Sequence, residues 1–379
     1  MFDVCIIGGG LLGTATAYFA ARAGLKTLVI AERDLAAGAS GAVFGGVSVG
    51  IYSYASARVP RPYVELSKAS LALYRRLQEE LGPPLDFDAP GSLDPFYDEA
   101  GLARGRERAL GLEACGVPCQ LLTRDEVREI EPAVSDAIAG ATYCPVDAHV
   151  TSLCTVWALA RGARRHGAEI RTGLRVERLL TEKGRVVGVE TAREKIAAGW
   201  VVNVAGLGAA ALAAEAGVQI PLGYSRGQMF VSERIPPLLR TYVHNIKQAA
   251  SGGIVIGATR ETGVTEVSTT VAGAREILSW AVRLIPALAE VRLLRSWSGI
   301  RPVPPDGYPI IGAVPGLERL LVAVMHRGVT LAPIVGQSLV ELMLTGRSTL
   351  DLAPYDVTRF AASPETRAAE VKESFYGAR

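Results

Sequence analysis

Residues 3–33 read DVCIIGGGLLGTATAYFAARAGLKTLVIAER. The stretch parses as strand, glycine turn, helix and second strand. DVCII is apolar at successive positions, as in a strand covered on both faces. GGLLGTATAYFAARAG then sets small and apolar residues at helical spacing before KTLVI returns to an extended pattern. Gly8, Gly10 and Gly13 fall between strand and helix with G-x-G-x-x-G spacing. Gly8 permits the tight turn, Gly10 lets backbone approach a pyrophosphate, and Gly13 lets helix and strand pack closely. The N–H groups of the helix start, around Leu12, then face the phosphates with a partial positive charge. Glu32 closes the second strand, where a carboxylate can bond ribose hydroxyls, and Arg33 follows it. The unit is a dinucleotide-binding βαβ.

Outward from it, GASGAVFGGVSVG at 38–50 supplies a second loop of small residues. Ser40, Gly41, Gly45, Gly46 and Val47 can lie along a pyrophosphate and ribityl chain, with Ser40 offering a hydroxyl. A nicotinamide-binding chain would normally run straight into another strand–helix unit, so the loop favours FAD; a plain flexible Gly/Ser loop is the alternative.

Helix spacing recurs at 64–81, in TRDEVREIEP, at 151–166 and near 273–285. EIRTGLRVERLL reads as one strand, followed by a hairpin through EKGRVVGVET. WVVNVAG at 200–206 is apolar on both faces, as a buried parallel strand would be. RLLVAVM and the helix LAPIVGQSLVELMLTG close the pattern. The expectation is an α/β fold of two interleaved domains. Residues 1–81, 140–220 and 295–361 would form a Rossmann-like FAD-binding domain with a central parallel sheet. Residues 82–139 and 221–294 would form a mainly antiparallel substrate-binding domain, and 362–379 a polar tail.

The chain has 379 residues and a net charge of +2. That balance makes no electrostatic case for nucleic acid or an anionic membrane. The apolar runs are too short for a transmembrane segment. The glycine turn opens directly after the first strand with no signal peptide before it, which points to the cytoplasm. The five cysteines, an odd and scattered set, suit reduced thiols. Cys115 and Cys119 could be half a metal site, but no second pair matches them, so no metal is expected.

These pieces together resemble the FAD-dependent amine oxidoreductases, the family of D-amino acid oxidase, glycine oxidase and sarcosine oxidase. The matching segments are GGGLLG with Glu32, ASGAVFGG, RVERLL, VVNVAGLGA, GQMFV, GGIVIGAT, WSGIRPVPPDGYPIIG and HRGVTLAPIVG, which span residue 3 to about 346. In detail MHRGVTLAP, and GGIVIG preceded by Gln248, are most similar to bacterial opine and D-hydroxyproline dehydrogenase subunits.

The resemblance implies roles. Arg301 would grip a substrate carboxylate, as a planar and permanently charged fork can; pairing a structural acid such as Asp306 is the alternative. Gly328, Val329, Thr330 and Leu331 would lie under the flavin's pyrimidine edge. A helix starting near Ala332 would aim its N-terminus at N1–C2=O. Val176 would bracket adenine, with Ala205 and Gly206 beside the dinucleotide and Gly299 next to Arg301. His326 would touch substrate or tune flavin, or else bond a backbone carbonyl. Arg327, His244, Asn245, Tyr52, Tyr54 and Tyr224 are pocket candidates.

GIRPVPPD at 299–306 contains no cysteine, and none follows Cys154. Monomeric sarcosine oxidases of that family attach flavin through a cysteine in the equivalent segment, so the resemblance here implies non-covalent FAD. The implied chemistry is oxidation of the C–N bond of a small amino acid or secondary amine by hydride transfer to flavin N5, giving an imine. Electrons would pass to oxygen, to a carrier or to a partner subunit, and the chain leaves room for an oligomer. Two other readings stand beside it: a non-catalytic FAD-holding regulatory or assembly subunit, and a flavin-dependent glycerol-phosphate dehydrogenase. The latter would want several basic residues in the pocket, where this reading places one arginine and a histidine.

Overall fold

The computed structural model describes residues 1–49 and 60–360. The strand Phe2–Ile7 occupies the middle of a sheet, parallel to Thr27–Ile30 on one side and to Lys195–Asn203 on the other. Glu169–Arg171 extends the first flank and Leu317–Val324 the second, again parallel. Val4, Cys5 and Ile6 are fully buried, as the unbroken apolar run requires of a strand covered on both faces. Ile310–Val314 and the hairpin Val176–Glu182/Arg185–Thr191 add antiparallel pairs.

One face is covered by Leu11–Arg22, flanked by Ser152–Arg165 and Gly328–Thr345. Gly336 lets two of these helices meet at backbone distance, since a Cβ there would come within 2.8 Å of the Thr16 amide nitrogen. Gly328–Thr345 is, among the described residues, long and apolar enough to cross a membrane, yet about two-thirds of it is buried inside the fold (67%). It packs on Leu11–Arg22 and Arg61–Leu81 as a core helix.

A second sheet runs Glu261–Thr262, Gly223–Arg234, Gly253–Gly257, Ile246–Gln248, Tyr242–Val243, Ser92–Phe96, Gly140–Cys144 and Gln120–Thr123. Leu293–Val303 pairs along Gly223–Arg234. All its pairs are antiparallel except Tyr242–Val243 with Ser92–Phe96. Gly46–Val47, Ala148–Val150 and Phe87–Asp88 form a small sheet of their own.

Three boundaries differ from the sequence reading. EIRTGLRVERLL is two strands, because Gly173 turns the chain at a φ of +65°. The last long helix begins at Gly328, earlier than Ala332, with Arg327 before it in the left-handed conformation (φ 62°). Gly140–Cys144 and Leu293–Val303 lie in the second sheet, although the sequence reading groups the former, and the latter from residue 295 on, with the dinucleotide-binding segments. We propose the two-domain division with these strands as crossings from one sheet to the other.

Candidate active site

A cavity of about 540 Å³ runs from the glycine turn to Arg301 and His326. At its first end, Gly8 has a φ of +125°, and a Cβ there would lie 2.5 Å from the Val204 carbonyl oxygen. A Cβ on Gly13 would come 1.8 Å from the Gly8 carbonyl oxygen. These two glycines close the strand onto the helix, and Gly13 does not reach the cavity. Gly10 does. The Ser40 hydroxyl lies 2.8 Å from where its Cβ would be and accepts from the Leu11 amide at 3.0 Å.

Leu12, Glu32, Arg33, Val176, Ala205 and Gly206 line the same end. Glu32 is exposed, with its carboxylate 3.7 Å from Arg175. Gly206, at a φ of +61°, has open space around its missing Cβ. Bare backbone at Gly10 and Gly206, a helix start aimed inward and a carboxylate at the strand end fit a dinucleotide.

Midway, the N-terminal loop meets the last helix. The Ser48 amide donates to Thr330 Oγ1 at 3.3 Å, and Thr330 Oγ1 reaches the Gly46 carbonyl oxygen at 3.3 Å. Gly45 must be glycine, because a Cβ would lie 2.0 Å from the Val150 carbonyl oxygen. That oxygen accepts from Lys247 Nζ at 2.7 Å. Lys247 is almost fully buried, and burial drops its pKa to about 8.

Beside it, the fully buried Asp147 accepts from Ser48 Oγ (3.1 Å), Val49 N (2.7 Å), Ser92 Oγ (2.8 Å) and the Tyr242 hydroxyl (3.2 Å). Gly45, Gly46, Gly328, Val329 and Thr330 line the cavity; Gly41, Val47 and Leu331 do not. Gly41 faces the Ala36 carbonyl, while Val47 and Leu331 are core. Gly299 lines it and abuts Ala42, which a Cβ would meet at 2.6 Å.

At the far end Arg301, paired with Ser225 in register, lays its guanidinium across Gly227. Its Nη1 donates to the Thr259 carbonyl at 3.0 Å. The Asp306 carboxylate is taken by Arg359, through Nε at 2.6 Å and Nη2 at 3.0 Å, so it is Arg359 rather than Arg301 that holds this acid. Burial, then the charges of Arg301, Arg327 and Arg260, hold the His326 pKa well below the usual imidazole range. His326 is thus neutral at pH 7. Arg301, His326, Arg327, Asn245 and His244 all line the cavity.

His244 Nδ1 lies 2.9 Å from Asp94 Oδ1, and Asp94 is also paired with the buried Arg108 at 3.0 Å. Burial pushes the Asp94 carboxyl up, but His244 and Arg108 outweigh it and hold it below its ordinary value. Tyr224 is not brought in: it lies 38% exposed, because strand alternation turns Ser225 inward instead. Tyr52 and Tyr54 fall outside the described residues.

Sequence reading missed Arg260, Asp147 and Lys247. Arg260 had a usable signal, since it directly follows the quoted GGIVIGAT. A cation at the end of a strand that points into a pocket merits the same attention as Arg301.

The chain belongs to the DAO family of FAD-dependent oxidoreductases, whose family model matches residues 3–342. Its cofactor is FAD. It is 31% identical to glycine oxidase of Geobacillus kaustophilus over 94% of this chain and 97% of that one. The crystal structure of glycine oxidase from that organism superposes with a TM-score of 0.87 at 29% identity, covering 94% of this chain and 98% of the other. One of the subunits of opine oxidase from Rhizobium meliloti is 30% identical, over 95% and 98% of the two chains. The structure of L-proline dehydrogenase from P. horikoshii gives a TM-score of 0.86 at 26% identity, with 95% and 98% covered.

Proposed function

We propose that this chain oxidises the C–N bond of a small amino acid or secondary amine that bears a carboxylate. The observation that carries the reading is the placement of Arg301 and a neutral His326 at the end of the cavity that a dinucleotide would reach from its other end. Glycine and proline, named in two of the relatives, are both α-amino carboxylates.

Bound FAD would supply the two-electron acceptor for a hydride leaving the carbon next to nitrogen, and the resulting imine would hydrolyse in water. Gly10, Glu32 and Gly206 would hold its adenosine and pyrophosphate portion, and Gly45, Gly46, Gly328 and Thr330 its ring end. Arg301 would hold the carboxylate through charge-assisted hydrogen bonds and fix the reacting carbon in one orientation. The guanidinium groups around His326 disfavour an ammonium nearby, so the amine would bind unprotonated and turnover would rise with pH through the substrate amine's titration. His326, neutral and flanked by cations, would accept or donate a hydrogen bond without adding charge.

The test is anaerobic titration of the holoenzyme with glycine, sarcosine, both prolines, D-amino acids and opines, following loss of the flavin absorbance band. Bleaching by one or more of them is expected, and bleaching by none would leave only a binding role. Because the opine oxidase relative is by its name one part of an assembly, electrons would pass to a carrier or to a partner protein. Fast reoxidation of the reduced protein by dissolved oxygen would overturn that. The described cysteines are all free thiols, which supports a cytoplasmic location.

A further inference from the structure

Resting on the amine-oxidising reading above, we infer that Thr259 and Glu261 are positioning residues for the substrate. They fix the backbone carbonyl that holds the Arg301 guanidinium in the orientation in which it meets a carboxylate. The cavity wall takes Ala258 and Arg260 from this segment and neither Thr259 nor Glu261, so both act through Arg301.

An arginine side chain is long and rotatable, and it sets a carboxylate in one place only if its head is held. Two of Arg301's contacts do so. Gly227 lies against the guanidinium, where a Cβ would come 2.0 Å from Nη2, and the Thr259 carbonyl accepts from Nη1 at 3.0 Å. The glycine gives room and the carbonyl gives direction, but a carbonyl is only as fixed as the peptide that bears it.

That peptide is fixed by the threonine's own hydroxyl. Thr259 is buried, and its Oγ1 accepts from the Gln228 amide at 3.0 Å while donating to Glu261 Oε1 at 2.6 Å. Gln228 follows Gly227 on the same strand, so the first of these bonds ties the strand under the guanidinium to the carbonyl at its edge. Glu261 is held in turn: Oε1 also accepts from Gln228 Nε2 at 2.8 Å, and Oε2 from Arg226 Nε at 3.1 Å. The bonds therefore close on themselves, from the Gln228 amide through Thr259 and Glu261 back to the Gln228 side chain. Gln228 Oε1 accepts from the Thr270 amide at 2.7 Å, which anchors the ring to the start of the helix Val271–Leu284. Burial pushes the Glu261 carboxyl up, but hydrogen bonds from Arg226, Thr259 and Gln228 outweigh it and bring its pKa down to about 2. The ring thus keeps its charge throughout the pH range in which an amine titrates.

Thr259→Val tests the inference on the holoenzyme, since it keeps the shape and the carbonyl and removes the hydroxyl. Binding of methylthioacetate, a carboxylate with a thioether in place of an oxidisable amine, is followed through the flavin spectrum. In parallel, kcat/KM is measured for each amine of the panel above that bleaches the flavin, and it decides where the thioether does not bind. Thr259→Val should weaken methylthioacetate about fivefold or more and lower kcat/KM by a similar factor, with FAD content unchanged. Thr259→Ser, which restores the hydroxyl, should stay within about twofold of wild type. The deciding readout is the cycle with Arg301→Ala: once the guanidinium is gone, Thr259→Val should cost less than about twofold more. An equal loss in both backgrounds would show a general structural role and overturn the inference. Wild-type constants in Thr259→Val, or Thr259→Ser as impaired as Thr259→Val, would do the same. If Thr259→Val does not fold, Glu261→Gln, which keeps the shape and removes the charge, goes through the same cycle with the same expectations. Failure of every amine to bleach the flavin would sink the underlying amine reading, whereas bleaching indifferent to these substitutions would sink only this inference.

Discussion

Thr330 Oγ1 holds the Ser48 amide at 3.3 Å across a sequence separation of 282, and the same oxygen reaches the carbonyl of Gly46. One hydroxyl thus ties the small-residue loop to the first turn of the last helix, at the level where a flavin ring would lie. Thr330→Val keeps the shape and removes both bonds. It should cost about 1–2 kcal/mol of stability and weaken FAD binding several-fold. Equilibrium dialysis with FAD fluorescence would check it, and unchanged retention would show that the bonds are incidental.

Arg301→Ala should raise KM and lower kcat for carboxylated amines, with kcat/KM down about a hundredfold or more, while FAD content stays intact. Gly227→Ala offers an independent route to the same effect. A Cβ there would fall 2.0 Å from Arg301 Nη2, so the guanidinium must move although its chemistry is unaltered. Steady-state kinetics on both variants should therefore degrade in the same direction. Wild-type kinetics in Arg301→Ala would remove the arginine from substrate binding.

Asp147→Ala strips four donors of a shared acceptor in a site sealed from water. Ser48, Val49, Ser92 and Tyr242 would each lose a partner, at a total cost of about 3–5 kcal/mol. Asp147→Asn should be milder, since one oxygen remains. Chemical denaturation with and without FAD should show both ordering and magnitude, and a loss below about 1 kcal/mol would mean that water replaces the carboxylate.

His149 is buried, and burial, followed by the charge of Lys247, lowers its pKa to about 3. The unfolded chain binds a proton at this position near pH 6.5 while the folded one does not, so stability must fall as pH drops through that value. By linkage the loss between pH 6.5 and 5 is about 2 kcal/mol. Melting temperature measured across that range should fall more steeply in wild type than in His149→Gln. Parallel curves would contradict the depressed titration.

The βαβ unit and the last strand–helix pair were legible because both are long-range regularities of pattern: apolar runs buried on both faces, and glycines at fixed offsets. The resemblance carried Arg301 and the 326–330 loop, and the structure sets both against the cavity. Tyr224 was misplaced because strand register, one residue either way, decides which neighbour faces inward. Gly41, Val47 and Leu331 lie beside the cavity rather than on it, which spacing cannot distinguish. The second sheet's hold on Gly140–Cys144 and Leu293–Val303 was hidden too, since a strand's partner is a tertiary fact. Asp147 lies between two strands with no periodicity to mark it, and only the assembled fold brings it under the Ser48 and Val49 loop.

The central sheet joins Phe2–Ile7 to Lys195–Asn203 and that strand to Leu317–Val324. During synthesis the opening strand must wait for nearly two hundred residues before its second neighbour exists, and the cofactor cradle for more than three hundred. A chain ending before residue 317 lacks Val324–Thr330, the last of the cavity-lining residues. The full cavity, from the glycine turn to the first turn of the last helix, is therefore closed only once the final strand–helix pair joins the sheet.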